Sequence, residues 1–461
     1  MISTFFSRIA AASQGFRSLF QIDRAIFLGI LANIWTSLAG PVTAILIVNI
    51  FNPELQGYFY TFNSLVALQI FLELGLGGVI LQFASHEWAN LSLGPNGEIE
   101  GSEIARSSLK SLGRMAFKWY AFAAVLMMVA LSIVGFFFFD QTKQEGISWQ
   151  GPWVSLCFIS AMNLFLVPAW SLLEGCNQIG NVYFFRFINS ITQNLACWIA
   201  ILSNLQLWTA SVALGANVTW ALFFLWKNYG NFFRSFFDYS TGPEIHWESE
   251  IWPLQWRNAV SWLSGYFTYS FLTPVIFQFH GAIAAGQLGM MLALTRLPVA
   301  VSSLWASTKA PLFGIFISKK EYKSLDEMFF KNVIISSLIL FLGAISIQAL
   351  VTFLNNFVYS MAQRLLQPYQ AGILMMGVVM ANLGGPFAIY LRAHKKEPLM
   401  GLTIILAVLM GFGCLIFGKL YGTLGIVLLY FFLQTFIAFP CVIFIWHHNR
   451  REWHKDDSKE N

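Results

Sequence analysis

Residues 58–83 have the sequence YFYTFNSLVALQIFLELGLGGVILQF, in which Glu73 is the only charged residue. An α-helix rises about 1.5 Å per residue, so a helix of this length spans a hydrocarbon core of about 30 Å. Similar segments recur along the chain and together predict an all-α polytopic membrane protein. We place twelve of them, at 26–50, 58–83, 115–139, 151–173, 183–203, 207–226, 258–279, 283–306, 331–354, 369–391, 399–418 and 422–446.

The composition excludes a soluble globular protein. The chain is 57% hydrophobic and 11% charged, with a mean hydropathy of +0.63, whereas soluble domains are about 25% charged. The longest polar stretches, at 84–114, 227–257 and 307–330, are too short for a large aqueous domain. The net charge of +5 comes from basic residues that flank the segments. They would meet anionic lipid headgroups, so membrane lipids are expected partners and nucleic acid is not.

Lys and Arg residues are distributed unequally between alternate loops. The N-terminus, every second loop and the C-terminus hold 23 of the 27. The other loops hold only Lys143, Arg364 and Lys419, and Arg296 lies inside a segment. Because cytoplasmic loops retain basic residues, this pattern predicts a protein of the cytoplasmic membrane with both termini in the cytoplasm.

The chain divides into two halves of six segments each at the loop 227–257. We expect an amphipathic interfacial segment at 1–25, an N-lobe at 26–226, a cytoplasmic linker at 227–257, a C-lobe at 258–446 and a cytoplasmic tail at 447–461. Each half has a short outer turn followed by a glycine that begins a long helix, Gly57 or Gly286. Both halves start on the inner side, which predicts a parallel pseudo-repeat around a central cavity. Chance similarity between two apolar helices is the competing explanation.

Two charged residues, Arg296 and Glu73, lie well inside segments. A charge at the bilayer centre costs at least about 2.5–3.5 kcal/mol, so it is retained where it meets a partner, a polar cavity or a substrate. Arg296 is a fixed cation at about midplane depth, suited to bidentate binding of phosphate or pyrophosphate. The alternative is an ion pair with Glu73 or a cage of carbonyls. Glu73 can titrate, so it is either a proton or sodium site or a packing partner for a buried polar group.

Neutral polar residues mark the faces of some segments. Asn33, Thr36 and Ser37 share one helical face by their spacing, and Asn63 and Gln69 lie on the second segment. As a group they predict the lining of a substrate cavity, although single residues of this kind more often bond between helices.

Other local patterns concern gating and packing. Glu174, Arg186 and Arg392 lie at inner ends of segments and form a candidate cytoplasmic gate, with ordinary interfacial anchoring as the alternative. The glycines of LGLGG at 74–78 predict close helix contact.

The sequence lacks the motifs of several other chemistries. It has no GxxxxGK[ST], no HExxH and no CxxC, and its seven His residues lie at segment ends, in loops or in the tail. We therefore expect no nucleotide hydrolysis, no metal site and no cofactor. A membrane-embedded glycan polymerase, ligase or acyltransferase would need a large outer loop or an intramembrane His, so an enzyme is not expected.

Two stretches carry a resemblance to a known family. LQGYFYTFNSLVALQIFLELGLGGVILQFASHE, at 55–87, resembles the second-helix region of Wzx-type O-antigen and polysaccharide flippases, and LLEGCNQIGNVYFFR, at 172–186, is similar to their loop between helices four and five. These flippases belong to the multidrug/oligosaccharidyl-lipid/polysaccharide exporter superfamily. The resemblance covers the whole chain in length and in its six-plus-six plan, and Arg296 matches the family's basic residues in the central cavity.

The resemblance implies a flippase for a polyprenyl-pyrophosphate-linked oligosaccharide that works by alternating access, with Arg296 at the pyrophosphate and Glu73 coupling transport to protons or sodium. The lipid II flippases of that superfamily usually have fourteen spans, which this chain does not match. Its multidrug branch relies on acidic cavity residues, so a cation-coupled drug or metabolite antiporter is the main alternative. That alternative predicts that Glu73 is indispensable and Arg296 is not.

Overall fold

The computed structural model describes residues 24–141, 146–237, 247, 251–394 and 396–454. The predicted interfacial segment at 1–25 lies outside these ranges except for its last two residues. Parts of the predicted linker and of the C-terminal tail also lie outside them.

Helices make up nearly all of the described chain, so the prediction of an all-α multi-span protein is confirmed. They are α1 (Arg24–Ile50), α2 (Pro53–Glu73), α3 (Leu76–Trp88), α4 (Glu103–Asp140), α5 (Gln150–Phe165), α6 (Val167–Gly175), α7 (Ile179–Leu202), α8 (Trp208–Arg234), α9 (Trp252–Tyr269), α10 (Leu272–Ser307), α11 (Ala310–Ser318), α12 (Tyr322–Phe357), α13 (Tyr359–Ala362), α14 (Pro368–Leu383), α15 (Gly385–Ala393), α16 (Met400–Phe432) and α17 (Phe439–Trp453). A π-helical turn at Leu433–Ala438 joins the last two. The strands β1 (Leu91–Leu93) and β2 (Ile99–Gly101) pair antiparallel, with Leu91 opposite Gly101.

The number of membrane crossings depends on the lengths of the helices and on where two glycines interrupt them. By length and composition, 8 of the described helices can cross a membrane, or 9 if the bent pair α2 and α3 counts as one span. Helical stretches of 56 and 54 residues, Leu263–Ser318 and Met400–Trp453, are each more than twice as long as a bilayer requires. Each is interrupted by a glycine with positive φ, Gly281 (83°) and Gly422 (61°), at the predicted outer turns. The two glycines thus lie where the sequence predicts turns between crossings, and the total of twelve crossings remains a prediction.

The second crossing has a defined start and a break near its middle. Pro53 occupies the first turn of α2, and the Asn52 side chain caps that turn by accepting a hydrogen bond from the Leu55 amide at 2.7 Å. The helix ends at Glu73, because Leu74 (φ 49°) and Gly75 (φ 65°) adopt the left-handed conformation. It resumes as α3 at an angle of 46°.

The glycines of the LGLGG stretch have three different roles, so the predicted close helix contact applies to only one of them. Gly75 provides the positive φ of the break. Gly77 is the close contact, since a Cβ there would lie 3.0 Å from the Ser171 hydroxyl oxygen of α6. Gly78 faces open space.

The described chain groups into two compact units. Unit 1 comprises Met1–Ala39, Phe71–Ile133 and Gly151–Ala259, and unit 2 comprises Gly40–Ile70, Val134–Gln150 and Val260–Asn461. Residues 40–70 and 134–150, placed in the N-lobe by the sequence, therefore pack with the second half of the chain. The lobe boundaries at 26–226 and 258–446 remain a prediction.

Unit 1 is stabilised by aromatic packing and by a β-hairpin that is hydrogen-bonded to a helix. Trp170 of α6 stacks on Phe185 of α7 with ring centroids 4.3 Å apart. The turn between β1 and β2 is tied to α8, because the Asn231 side chain donates to the Asn96 carbonyl at 2.8 Å. The polar stretch 84–114 thus contains a folded hairpin and the start of α4.

Unit 2 contains an aromatic cluster on the predicted outer side. Its members are Tyr58, Phe62, Phe139, Trp149 and Phe277, and all are almost fully buried. Tyr58 and Phe277 meet edge to face with centroids 4.9 Å apart, and Phe139 contacts both rings. Residues from α2, α4 and α10 thereby share one core.

Candidate functional site

Arg296 lies on an exposed face in the middle of the α10 segment between Gly281 and Ser307. Within the described part of unit 2 its guanidinium forms no ion pair or hydrogen bond. Another side of the helix is fixed to α12, where the Ser302 hydroxyl donates to the Ser336 carbonyl at 3.0 Å. Pro298, inside the same helix, has no amide hydrogen, so the Leu294 carbonyl lacks its helical donor. The site is therefore a cation on a helix in which the nearby Leu294 carbonyl lacks its usual donor four residues later.

The exposed face of α10 carries further polar residues toward its inner end. Ser303 and Ser307 are exposed, and their spacing from Arg296 places them on the same side of the helix. Lys309 follows the helix and lies over the Trp305 ring at 5.3 Å. Sequence reasoning missed this stripe, although its spacing is visible in the sequence.

The predicted polar face of α1 is present in unit 1. Asn33 and Thr36 are exposed and Ser37 is half-buried. The Thr36 hydroxyl donates to the Ala32 and Asn33 carbonyls, so its donor is used within the helix. Trp35 faces the other way and donates to the Ser190 carbonyl of α7 at 3.2 Å. The stripe is therefore oriented by packing on its opposite side.

Asn63 and Gln69 lie on the part of α2 that belongs to unit 2. Asn63 is exposed, and its side-chain amide donates to the Phe59 carbonyl one turn earlier at 2.8 Å. Gln69 is half-buried in the tight turn Ala67–Gln69 within the helix. Neither contacts Arg296 through a hydrogen bond.

Glu73 is the last residue of α2 and stands at the break of the second crossing. It is half-buried in unit 1, and no ion pair or hydrogen bond to it occurs among the described residues of that unit. Its Oε1 and the Ser171 hydroxyl lie 3.5 and 3.0 Å from the point where Gly77 would carry a Cβ. Arg296 belongs to the other unit, so the proposed pairing of these two charges stays untested.

The three candidate gate residues form two separate ion pairs. Glu174 pairs with Arg186 in a short contact, and Arg186 also lies over the Tyr183 ring at 5.2 Å. Arg392 of unit 2 pairs instead with Glu397 at 2.9 Å, and both side chains are more than half exposed. An exposed pair of this kind contributes little stability.

A polar junction in unit 2 was not predicted from the sequence. The buried Gln56 side chain donates to the Gly286 carbonyl at 2.9 Å and to the Arg364 carbonyl at 3.0 Å. The Arg364 guanidinium donates to the Phe51 carbonyl at 2.5 Å. Burial lowers the pKa of Arg364, while Glu54 opposes this effect. The junction fastens the start of α2 to α10 and to the turn before α14.

Gly57 and Gly286 meet at this junction. A Cβ on Gly286 would lie 2.9 Å from the Gly57 amide nitrogen, and a Cβ on Gly57 would lie 2.5 Å from the carbonyl carbon of Ala282. Only glycine allows backbones to approach this closely. The two residues that marked the pseudo-repeat in the sequence are therefore in direct contact.

Comparison with known proteins places the fold among membrane transporters. No family model and no curated protein matches the sequence. An inward-facing multidrug resistance MATE family transporter of the MOP superfamily superposes with a TM-score of 0.64 at 12% identity, over 94% of this chain and 100% of that one. The lipid II flippase MurJ, in an inward closed conformation, gives 0.63 at 13% identity, over 92% and 87%. A MATE transporter from Vibrio cholerae gives 0.55 at 12% identity, over 96% and 99%.

These similarities define the class of fold. The chain has the fold of MOP superfamily transporters and is a multi-pass membrane protein. The group that shares this fold includes both drug transporters and a flippase for a lipid-linked substrate.

Proposed function

We propose that this protein is a flippase that moves a polyprenyl-pyrophosphate-linked oligosaccharide across the cytoplasmic membrane by alternating access. The observation that carries the proposal is Arg296, an exposed cation that has no partner among the described residues of its unit and lies in the middle of a membrane-spanning segment. A charge left unpaired at this depth is costly. An anionic headgroup bound there would offset that cost.

The chemistry of Arg296 favours a pyrophosphate over a cationic drug. A guanidinium stays charged and binds two phosphate oxygens at once, and it repels a cationic substrate. Ser303 and Ser307 share the exposed face of α10 with Arg296 and are suited to sugar hydroxyls. The lipid tail would remain in the bilayer. The occurrence of this fold in a lipid II flippase is consistent with such a substrate.

The test is transport by the purified protein in vesicles. A labelled polyprenyl-pyrophosphate oligosaccharide is placed in one leaflet, and its appearance in the other is measured. Arg296→Ala should slow movement by about tenfold or more, because a hydrogen bond to a charged group contributes about 1.5–3 kcal/mol. Arg296→Lys should retain part of the activity, since it keeps the charge but loses the bidentate geometry. Full activity of Arg296→Ala would exclude the proposed role.

A matched control is Arg451→Ala, which removes an exposed cation from the end of α17. It should leave transport unchanged. The alternative function, a cation-coupled drug or metabolite antiporter, predicts uptake of cationic dyes that requires Glu73 and tolerates Arg296→Ala.

A further inference from the structure

A groove separates α12 from α14 in the predicted outer half of unit 2. Its volume is about 860 Å³, which is within the range of pockets that hold a ligand. The residues that line it lie within 341–352 of α12 and 368–379 of α14, and Phe431 of α16 completes the lining. Two neighbouring membrane-spanning helices therefore leave a concave surface between them over this length.

Small side chains and one hydrogen bond between the helices determine the shape of the groove. Ala344 and Ala349 of α12 and Gly372 of α14 are part of the lining, and their small or absent side chains leave the space open. The Gln348 side chain donates to the Pro368 carbonyl at 2.9 Å. This bond connects the two walls near the outer end of the groove.

The depth of the groove matches one leaflet of a bilayer. From Tyr369 to Val379, α14 rises about 15 Å, which is half of a hydrocarbon core of about 30 Å. From Phe341 to Thr352, α12 rises about 17 Å. Because α14 begins on the predicted outer side, the groove extends from the outer interface to about the midplane.

The lining changes from polar to apolar with depth. Thr352 and Tyr369 are exposed at the outer end, and tyrosine is typical of the membrane–water interface. Ile373, Met376 and Val379 follow toward the midplane. No charged side chain lines the groove in the described part of unit 2. Such a surface suits a hydrocarbon chain that is anchored at the interface, and it does not suit an ion.

A lipid chain fits this groove better than a helix of a second copy. Helices associate in membranes where small residues on both partners let the backbones approach closely. Here Phe341, Ile345 and Met376 are exposed beside the groove, and these large side chains would hold another helix away. A thin chain can enter between them and restore the dispersion contacts that an unfilled apolar surface lacks.

We propose that the groove binds one acyl chain of an outer-leaflet phospholipid, with the headgroup beside Thr352 and Tyr369. An acyl chain reaches about one leaflet deep, as the groove does, whereas a polyprenyl tail is much longer than the groove. The charge of the headgroup should have little effect on binding, because the lining is uncharged. Basic residues at the inner ends of the helices would instead select anionic lipids. The site does not depend on the proposed transport function.

The test is native mass spectrometry of the purified full-length protein after exchange into detergent. Wild type should retain one phospholipid. Met376→Trp fills the groove and should lower retention by about tenfold or more, because the chain would lose about ten dispersion contacts with the lining. Ile345→Trp fills it from the α12 wall and should have the same effect. The matched control is Leu350→Trp, since Leu350 and Met376 are both 45% exposed but Leu350 lies outside the groove.

The headgroup and the chain are tested by reloading the delipidated protein. Phosphatidylethanolamine and phosphatidylglycerol with the same acyl chains should be retained equally, and polyprenyl phosphate should be retained less. Thermal unfolding of each variant checks that it is folded, and the two tryptophan variants from opposite walls serve as substitutes for each other. The proposal would be overturned if wild type retained no phospholipid, if both groove variants retained it normally, or if an anionic headgroup or a polyprenyl tail were strongly preferred.

Discussion

Replacing Gly57 by Ala should open the junction between α2 and α10. The added Cβ would lie 2.5 Å from the carbonyl carbon and 2.8 Å from the Cα of Ala282. Carbon atoms pack at about 3.5–4.0 Å, so the two helices must separate by about 1 Å or more. The Gln56 hydrogen bond to Gly286, now 2.9 Å, would lengthen to about 3.9 Å and be lost.

Three effects determine how much Gly57→Ala changes the stability of this junction. Overpacking contributes about 1–3 kcal/mol, and each lost hydrogen bond about 1 kcal/mol. Ala favours a helix over Gly by about 1 kcal/mol, which offsets part of the penalty. The state in which α2 and α10 are in contact should therefore be destabilised by about 1–4 kcal/mol. A two-state equilibrium would shift toward the open junction by about five-fold to several hundred-fold.

The assay is cysteine labelling from the outer side. Thr61 is fully buried in α2, and Thr61→Cys in a chain without its five native cysteines is a nearly isosteric reporter. A membrane-impermeant maleimide should label it faster when Gly57→Ala is also present. Gly78→Ala is the control, because a Cβ at that position meets nothing within 4 Å. Unchanged labelling together with unchanged thermal stability would show that the junction is not tightly packed in the membrane.

Two further predictions concern the inner end of unit 2. Asp326→Asn should lower the free energy of unfolding by about 1–3 kcal/mol, because Asp326 accepts two hydrogen bonds from Arg450. Thermal unfolding measures this change. The control Glu397→Gln removes only an exposed ion pair and should have little effect on stability. Burial lowers the pKa of His394, so the unfolded chain takes up a proton near pH 6.5 that the folded protein resists. Stability should be greatest above that pH and fall below it, and His394→Gln should flatten the dependence; an unchanged slope in that variant would assign the effect to another group.

The sequence was informative about the fold because a bilayer imposes a simple length rule. Apolar runs located the helices, including the turns at Gly281 and Gly422. Glu73 and Arg296 were conspicuous because a charge is costly among apolar residues in a membrane.

The contacts between distant residues were not predictable. Gln56 and Arg364 are 308 positions apart, and nothing local to either position indicates the other. The break after Glu73 was also hidden, because glycines that pack helices and glycines that interrupt them look alike in a sequence. Leu74 shows the limit clearly, since a leucine with positive φ contradicts its own local preference.

The contact between Gly57 and Gly286 has a consequence for the history of the chain. In a symmetric dimer of half-length subunits, a residue on the two-fold axis touches its own copy, so one codon determines both surfaces. In a single chain with duplicated halves, the two positions are inherited separately. A larger residue at one of the two positions requires a compensating change at the other. Homologous chains should therefore show correlated variation at 57 and 286.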